Sequence, residues 1–281
     1  MTTSAPVPAL DRDLIARLRF DVIAASWTTD TLETLLSDGA LSALMRDSRL
    51  PALVELAGVT DPAATLTRFF VLGQPERASA LDASLPTLGA AGLETLGLAA
   101  TIDEAEATSA LVVTRGCGKF APKREDAQAG EGASSPKTPT LPTMHDPDEE
   151  APEPEVESDP WMSALYDLRP HAATLPGGDR DWWVTSDPGE MRTGKPLADD
   201  HVMGVGGATR TLLEMTVRDS VDSALDLGCG CGIQALYLAT HARRVVATDL
   251  SARACALTQF NAALNEARSE EHTSELQSPA M

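Results

Sequence analysis

Residues 223–239, "SALDLGCGCGIQALYLA", place a glycine-rich turn between an apolar segment and a helical pattern. The segment "SALDLG" is apolar with an acid near its end, which is typical of a buried parallel strand, and "GIQALYLATHA" predicts a helix. A second buried strand is predicted at "RRVVATDL", residues 243–250. Together the three segments predict one βαβ unit of an α/β fold, with the glycines at its first turn.

The turn has the residue types of a nucleotide site. Gly228, Gly230 and Gly232 allow positive φ and let a ligand approach the backbone, which a Cβ atom would obstruct. Asp249 is predicted at the tip of the second strand, where an acid can accept hydrogen bonds from both ribose hydroxyls of an adenosine ligand. The spacing therefore predicts an adenosine-containing cofactor.

Three interpretations of the turn compete. A metal site is disfavoured because Cys229 and Cys231 have no second cysteine pair and no histidine at useful spacing. A dinucleotide fingerprint fits better, since "GCGIQA" at 230–235 matches G-x-G-x-x-A with Asp249 about twenty residues on, so an NAD(P)-binding Rossmann protein stays open as the alternative. The third interpretation rests on Asp226, which precedes the glycines and is absent from the usual dinucleotide pattern.

"LDLGCGCG", residues 225–232, resembles the D-x-G-x-G-x-G motif of class I S-adenosylmethionine-dependent methyltransferases. The resemblance implies a Rossmann-like methyltransferase domain, with S-adenosyl-L-methionine as cofactor and a planar nitrogen of protein or RNA as methyl acceptor. Carried over by position, Asp226 would orient the methionine amino group, the three glycines would form the turn, and Asp249 would bind the ribose.

A closer resemblance runs from about residue 167 to residue 266, through "DLRPHA", "DWWVTSD" and "DDHVMGVGGATRTL". These segments are similar to bacterial, actinobacterial-type small-domain methyltransferases, a group related to the glutamine-amide and ribosomal RNA guanine methyltransferases, here with a helical N-terminal domain. The resemblance implies that the loop 200–207, "DHVMGVGG", lies beside the cofactor, so Gly204 and Gly206 join the expected cofactor-binding residues.

The first hundred residues show short helical patterns separated by turn signals. Strands are predicted at "LGLAATI", 96–102, and "SALVVTR", 109–115, and helices followed by a two-stranded ribbon predict a winged-helix-like domain over residues 1–117. Residues 1–120 carry 15 acidic and 9 basic side chains, which disfavours DNA binding. A non-enzymatic interaction module is the second interpretation of this domain.

The composition divides the rest of the chain. Residues 118–160 are rich in Pro, Ser and Glu and predict a disordered acidic linker, followed by a methyltransferase domain at 161–267. "RSEEHTSELQS", within the segment 268–281, resembles a translated sequencing adapter, so native sequence is expected to end near Ala267. The family's acceptor-binding N-P-P-[YF] turn does not occur in the sequence. We therefore expect an inactive fragment with only the first βαβ portion of the catalytic domain, and we assign no catalytic residue and no metal ligand.

Composition also limits the partners and the location. The 281 residues carry a net charge of −20, which repels nucleic-acid backbones and anionic lipid. The N-terminus lacks a signal-peptide pattern, and no run of eighteen apolar residues occurs, so a cytoplasmic protein without membrane contact is expected. The four cysteines are too few and too unevenly spaced for a disulfide framework. The oligomeric state is left open.

Overall fold

The computed structural model describes residues 5–46, 48–115, 159–175 and 177–266. The predicted linker and the predicted adapter-derived tail therefore lie almost entirely outside the described residues. The N-terminal part contains α1 (Arg12–Ala24), α2 (Thr29–Leu35), α3 (Asp38–Leu44), α4 (Leu50–Glu55), α5 (Pro62–Leu66), β1 (Glu76–Arg77), α6 (Ala78–Ser84), α7 (Gly89–Thr95), β2 (Ala99–Ile102) and α8 (Glu104–Arg115). The C-terminal part contains β3 (Trp161–Ala164), β4 (Asp167–Ala173), β5 (Arg180–Ser186), α9 (Glu190–Thr193), α10 (Gly207–Met215), β6 (Val221–Leu227), α11 (Ile233–Leu238), β7 (Ala242–Thr248) and α12 (Ala252–Leu264).

Side-chain caps begin several of the N-terminal helices, among them α1, α2, α3 and α5. Asp11, Thr28, Ser37 and Asp61 each accept a hydrogen bond from a backbone amide in the first turn of the helix that follows. Such a cap stabilises a helix by about 1 kcal/mol. The helices predicted in this region are therefore present, and α5 continues into a π-helical turn at Thr67–Val71.

The strand predicted at 109–115 is wrong, because these residues belong to helix α8. Asp103 caps this helix: its Oδ1 accepts the amide of Glu106 at 2.7 Å, and its carbonyl accepts the amide of Ala107 at 3.0 Å. Ala107 is fully buried on the packed face of the helix. Capping and this contact outweigh the strand preference of the two adjacent valines.

The predicted domain boundary at residue 161 does not separate the sheets. Strand β3, which follows that boundary, lies between β1 and β2 in a three-stranded antiparallel sheet. Ala99 pairs with Ala164, and Ile102 pairs with Trp161. The sheet of the N-terminal part is thus completed by residues that follow the predicted linker, a pairing that the pattern of each segment alone does not encode.

The βαβ unit predicted around the glycine turn is present. Strands β6 and β7 pair in parallel, from Val221 opposite Ala242 to Leu227 opposite Thr248, and α11 connects them. Strands β4 and β5 form a separate antiparallel hairpin. This arrangement agrees with an α/β fold for the C-terminal part.

Asn261 of α12 and Asn265, the C-terminal cap of that helix, bind one edge of β5. The Asn261 side chain accepts the Thr185 amide and donates to the Thr185 carbonyl, both at 2.8 Å. Asn265 makes the same pair of 2.8 Å bonds with the backbone of Trp183. Both asparagines are buried, so their side-chain amides fix the helix against the hairpin.

One hydrophobic core joins the two parts of the chain. Trp27, fully buried after α1, donates its indole N–H to Thr67 Oγ1 at 3.0 Å, and its carbonyl accepts the Trp183 indole N–H at 2.8 Å. Trp183 is therefore an interior residue. No helix in the described ranges is long and apolar enough to span a membrane.

Candidate cofactor site

The glycine turn between β6 and α11 has the predicted backbone conformation. Gly228 and Gly232 have φ of +82°, and Gly230 has φ of +54°, a region that side-chain-bearing residues rarely adopt. The amides of Gly228 and Cys229 donate to the Thr248 carbonyl at 2.8 and 3.0 Å. The turn is thus attached to the end of β7, next to Asp249.

The glycines serve two different needs. A Cβ atom added at Gly228 or Gly230 would meet no atom within 4 Å, so open space lies above this half of the turn. A Cβ atom at Gly232 would lie 2.7 Å from Cγ2 of Thr258 on α12. Gly232 is therefore required by close helix packing, while Gly228 and Gly230 leave room for a ligand against the backbone.

Asp249 lies beside the glycine turn, as the spacing predicts. Its Oδ2 accepts the amide of Gly230 at 3.0 Å, and its Oδ1 accepts the amide of Ser251 at 2.9 Å. The carboxylate therefore holds the turn and the start of α12 together. An ionised carboxylate has about four acceptor positions, so two bonds to amides leave it able to accept hydroxyl donors as well.

Asp226 is an unsatisfied group beside the glycine turn. Its side chain is 8% exposed, and Oδ2 is buried without a hydrogen-bond partner. Burial raises the pKa of this carboxyl; a backbone hydrogen bond from Ala235 lowers it, and the nearby negative charge of Asp249 raises it further. A buried carboxylate oxygen without a donor is costly, and a cationic donor such as an ammonium group would stabilise it.

The loop that carries Gly204 and Gly206 leads into α10. A Cβ atom at Gly204 would lie 2.8 Å from Ser186 Oγ of β5, so the serine hydroxyl would have to rotate to make room for it. Gly206 is the N-terminal cap of α10, and a Cβ atom there would meet no atom within 4 Å. Gln234 of α11 donates to the Thr209 carbonyl of α10 at 3.1 Å, which connects the loop's helix to the helix after the glycine turn. Cofactor contact by Gly204 and Gly206 stays a prediction.

The cysteines of the turn are packing residues. Cys229 and Cys231 are both buried, and the Thr258 hydroxyl lies 3.2 Å from the Cys229 sulfur. Burial raises the pKa of Cys229 to about 12 and also raises that of Cys231, so both are neutral thiols near pH 7. Within the described ranges, no cluster of three or more His, Cys, Asp or Glu side chains could hold a metal ion.

A buried ion pair near the site is not indicated by any sequence motif. Asp187, which follows β5, accepts from Arg253 of α12 through both carboxylate oxygens, and its Oδ2 also accepts the Val202 amide at 2.8 Å. Arg253 and Asp187 are 6% and 8% exposed. The hydrogen bond to Asp187 is the main reason that the pKa of Arg253 is raised. A partner 66 positions away is visible only once the chain is folded.

A half-buried histidine connects the β4–β5 hairpin to α11. His171 Nε2 lies 3.1 Å from the Tyr237 hydroxyl, and the imidazole stacks on Trp182 with ring centroids 6.4 Å apart. Burial lowers the pKa of His171 to about 4, and the positive charge of Arg210 contributes in the same direction. The folded protein therefore holds this imidazole neutral.

This pKa predicts acid destabilisation. The ordinary pKa of histidine is about 6.5, so between pH 6.5 and 4 the unfolded chain takes up a proton that the folded protein excludes. The contribution of neutral His171 to the free energy of unfolding is fully present above pH 6.5. It is lost as the pH falls towards 4, by at most about 3 kcal/mol. Measured by urea titration, the free energy of unfolding should fall less from pH 7 to pH 4.5 in His171→Gln than in the parent protein. His241→Gln is the matched control, and an equal loss in all three proteins would contradict the prediction.

Comparison with known families agrees with this geometry. Residues 203–281 match the methyltransferase small domain, a range that includes the loop with Gly204 and Gly206, the glycine turn and Asp249. Residues 24–111 match a domain of unknown function, DUF7059. No curated protein matches the chain. The C-terminal match supports a class I methyltransferase.

Proposed function

We propose that the C-terminal part of the chain binds S-adenosyl-L-methionine and belongs to a methyltransferase that uses it. The observation that carries the proposal is the unpartnered Oδ2 of Asp226 beside a glycine turn with open space above it. Asp226 would bind the ammonium of the methionine end, the backbone at Gly228 and Gly230 would contact the cofactor, and Asp249 would accept the ribose hydroxyls. When bound, the cofactor supplies an electrophilic methyl group on a sulfonium.

Charge favours this cofactor over NAD(P). S-adenosylmethionine carries an ammonium and a sulfonium, so a negatively charged carboxylate attracts both groups. A dinucleotide would place its anionic pyrophosphate over the same turn, close to Asp226 and Asp249. Burial raises the pKa of Asp226 and the charge of Asp249 adds a smaller contribution in the same direction, so a further anion placed here would meet the repulsion of Asp249 as well.

The proposed methyl acceptor is a planar nitrogen of a protein or an RNA, and DNA is not expected. Catalysis in this class consists mainly of holding the nucleophile in line with the methyl group, so no general base is assigned. The N-P-P-[YF] tetrapeptide that would hold the acceptor does not occur in the 281 residues. We therefore propose that this polypeptide transfers no methyl group.

Cofactor affinity should also be low. Two leucines of β6, Leu225 and Leu227, are 61% and 82% exposed next to the candidate site. Side chains of a buried parallel strand are normally covered on both faces, so this region is held less firmly than a complete sheet would hold it. We expect S-adenosylmethionine to bind more weakly than micromolar.

The topology of the N-terminal part supports the winged-helix-like domain as a proposal. Its order is helix, β1, α6, α7, β2, α8, β3, and β3 lies between the other two strands. Because β3 is contributed by residues 161–164, a fragment that ends near residue 115 would lack the central strand of this sheet. Partner binding by this domain should therefore be tested on the whole chain.

The cofactor class can be tested on this chain by ligand-detected saturation-transfer NMR, which reports millimolar binding. S-adenosylhomocysteine should give signals that NAD does not displace, and Asp226→Asn should remove them. Asp222→Asn, at an exposed position on the same strand, is the matched control and should leave them unchanged. Stronger signals from NAD than from S-adenosylhomocysteine would establish the dinucleotide alternative. Micromolar binding by calorimetry would overturn the proposed weak affinity, and any methyl transfer would overturn the proposed inactivity; both results would leave the cofactor assignment intact.

A further inference from the structure

Asp187 connects two elements of the candidate cofactor site that are far apart in the sequence. Its backbone amide donates to the Val202 carbonyl at 3.0 Å, and its Oδ2 accepts the Val202 amide at 2.8 Å. Val202 is two residues before Gly204. The backbone at the start of the glycine-containing loop is thus held on both sides by one residue.

The same carboxylate is bound to α12. The Arg253 Nε donates to Asp187 Oδ2 at 2.9 Å, and Arg253 Nη2 contacts Oδ1. Arg253 lies two residues after Ser251, whose amide binds Asp249, the proposed ribose ligand. A bidentate pair of arginine and carboxylate fixes orientation as well as distance. Asp187 therefore sets the position of the loop relative to the Asp249 corner of the turn.

The N-terminal residues complete this network. Arg253 Nη2 donates to the Tyr166 hydroxyl at 2.8 Å, and that hydroxyl donates to the Pro6 carbonyl at 2.5 Å. Arg253 Nη1 contacts the Ala5 carbonyl. The guanidinium is thus held by the segment at residues 5–6, by Tyr166 and by Asp187, which leaves it little freedom to move.

We propose that Asp187 is a positioning residue for the cofactor: through Arg253 and Val202 it holds the loop bearing Gly204 and Gly206 against the glycine turn, and residues 5–6 lock the arrangement through Tyr166. This inference rests on the proposed function for its consequence. The geometry itself can be tested without any cofactor. The loop should loosen when the carboxylate or the tyrosine hydroxyl is changed, while the rest of the fold stays closed.

The test is amide hydrogen exchange on the full chain, followed by mass spectrometry of peptides covering residues 200–207 and residues 87–93. In Asp187→Asn, one carboxylate oxygen becomes an N–H donor facing the donors of Arg253. Exchange at 200–207 should then rise about tenfold, the factor expected when a charge-assisted hydrogen bond is lost. Residues 87–93, which are held by Asp21, should keep the parent rate. Tyr166→Phe is the milder variant and should give a smaller rise in exchange at 200–207. It provides the test if Asp187→Asn does not fold.

A purely structural role would give a different result. If exchange rises equally at 87–93, or does not rise at 200–207 in either variant, the positioning role is overturned. The matched control is Asp222→Asn, which removes an exposed ion pair with Arg243 and should change neither peptide. In the second arm, both variants should weaken the S-adenosylhomocysteine signals. If the parent chain gives no such signals, the proposed function fails, whereas the exchange experiment still tests how Asp187 holds the loop.

Discussion

Gly232→Ala is expected to lower the free energy of unfolding by about 2–5 kcal/mol. A left-handed backbone costs an alanine about 1–2 kcal/mol, and forcing an extra carbon into a packed contact costs about 1–3 kcal/mol more. Gly232 meets both conditions, with φ of +82° and a Cβ position 2.7 Å from Thr258 Cγ2 and 3.0 Å from its Cα. Because Cα is backbone, the clash cannot be relieved by rotating a side chain alone.

The matched control is Gly58→Ala. Gly58 has a similar φ of +75°, but a Cβ atom there would meet nothing within 4 Å. This variant should lose only the conformational part, about 1–2 kcal/mol. Urea unfolding of both variants measures the difference, which is the contribution of helix α12 packing on the glycine turn. Equal losses in the two variants would show that α12 does not press on the turn.

Asp21→Ala is expected to lower the free energy of unfolding by about 3 kcal/mol. Asp21 is fully buried on α1 and accepts the amides of Thr87 and Leu88 at 3.0 and 2.8 Å, together with the Thr87 hydroxyl at 2.9 Å. Alanine would leave both amides without their acceptor near the start of α7. A buried donor left unsatisfied costs about 1–3 kcal/mol.

Asp21→Asn separates hydrogen bonding from charge. The asparagine oxygen can occupy the position of Oδ2 and accept both amides, while its N–H group can donate to the Thr87 hydroxyl, which is able to accept. The decrease in the free energy of unfolding should therefore be less than half as large for Asp21→Asn as for Asp21→Ala in the same urea titration. A loss as large as that of alanine would mean that the negative charge itself stabilises the fold.

The residues closest to the glycine turn were predictable from sequence because their information is local. Positive φ at three alternating positions calls for glycine, and the end of a parallel strand places Asp249 beside the turn. Asp226 was singled out by the family motif alone, and the structure adds that one of its oxygens has no partner.

One error has a partly local cause, and two omissions have non-local causes. Helix α8 was predicted as a strand because its valines favour strands, whereas the cap at Asp103 and the burial of Ala107 decide its conformation. The pairing of β3 with β2 joins residues on either side of a low-complexity segment, so no periodic pattern connects them. The pair of Asp187 and Arg253 was missed for the same reason, since ordinary charged residues carry no sign of their partner.

Asn261 and Asn265, at the C-terminal end of α12, also determine how the β4–β5 hairpin meets other molecules. An uncovered strand edge offers its amides and carbonyls to any extended chain, which is the usual route to edge-to-edge aggregation. At Trp183 and Thr185 these groups are already bound by Asn265 and Asn261, so an incoming strand would first have to displace four hydrogen bonds. A helix thereby protects this edge of the hairpin from joining fibrils.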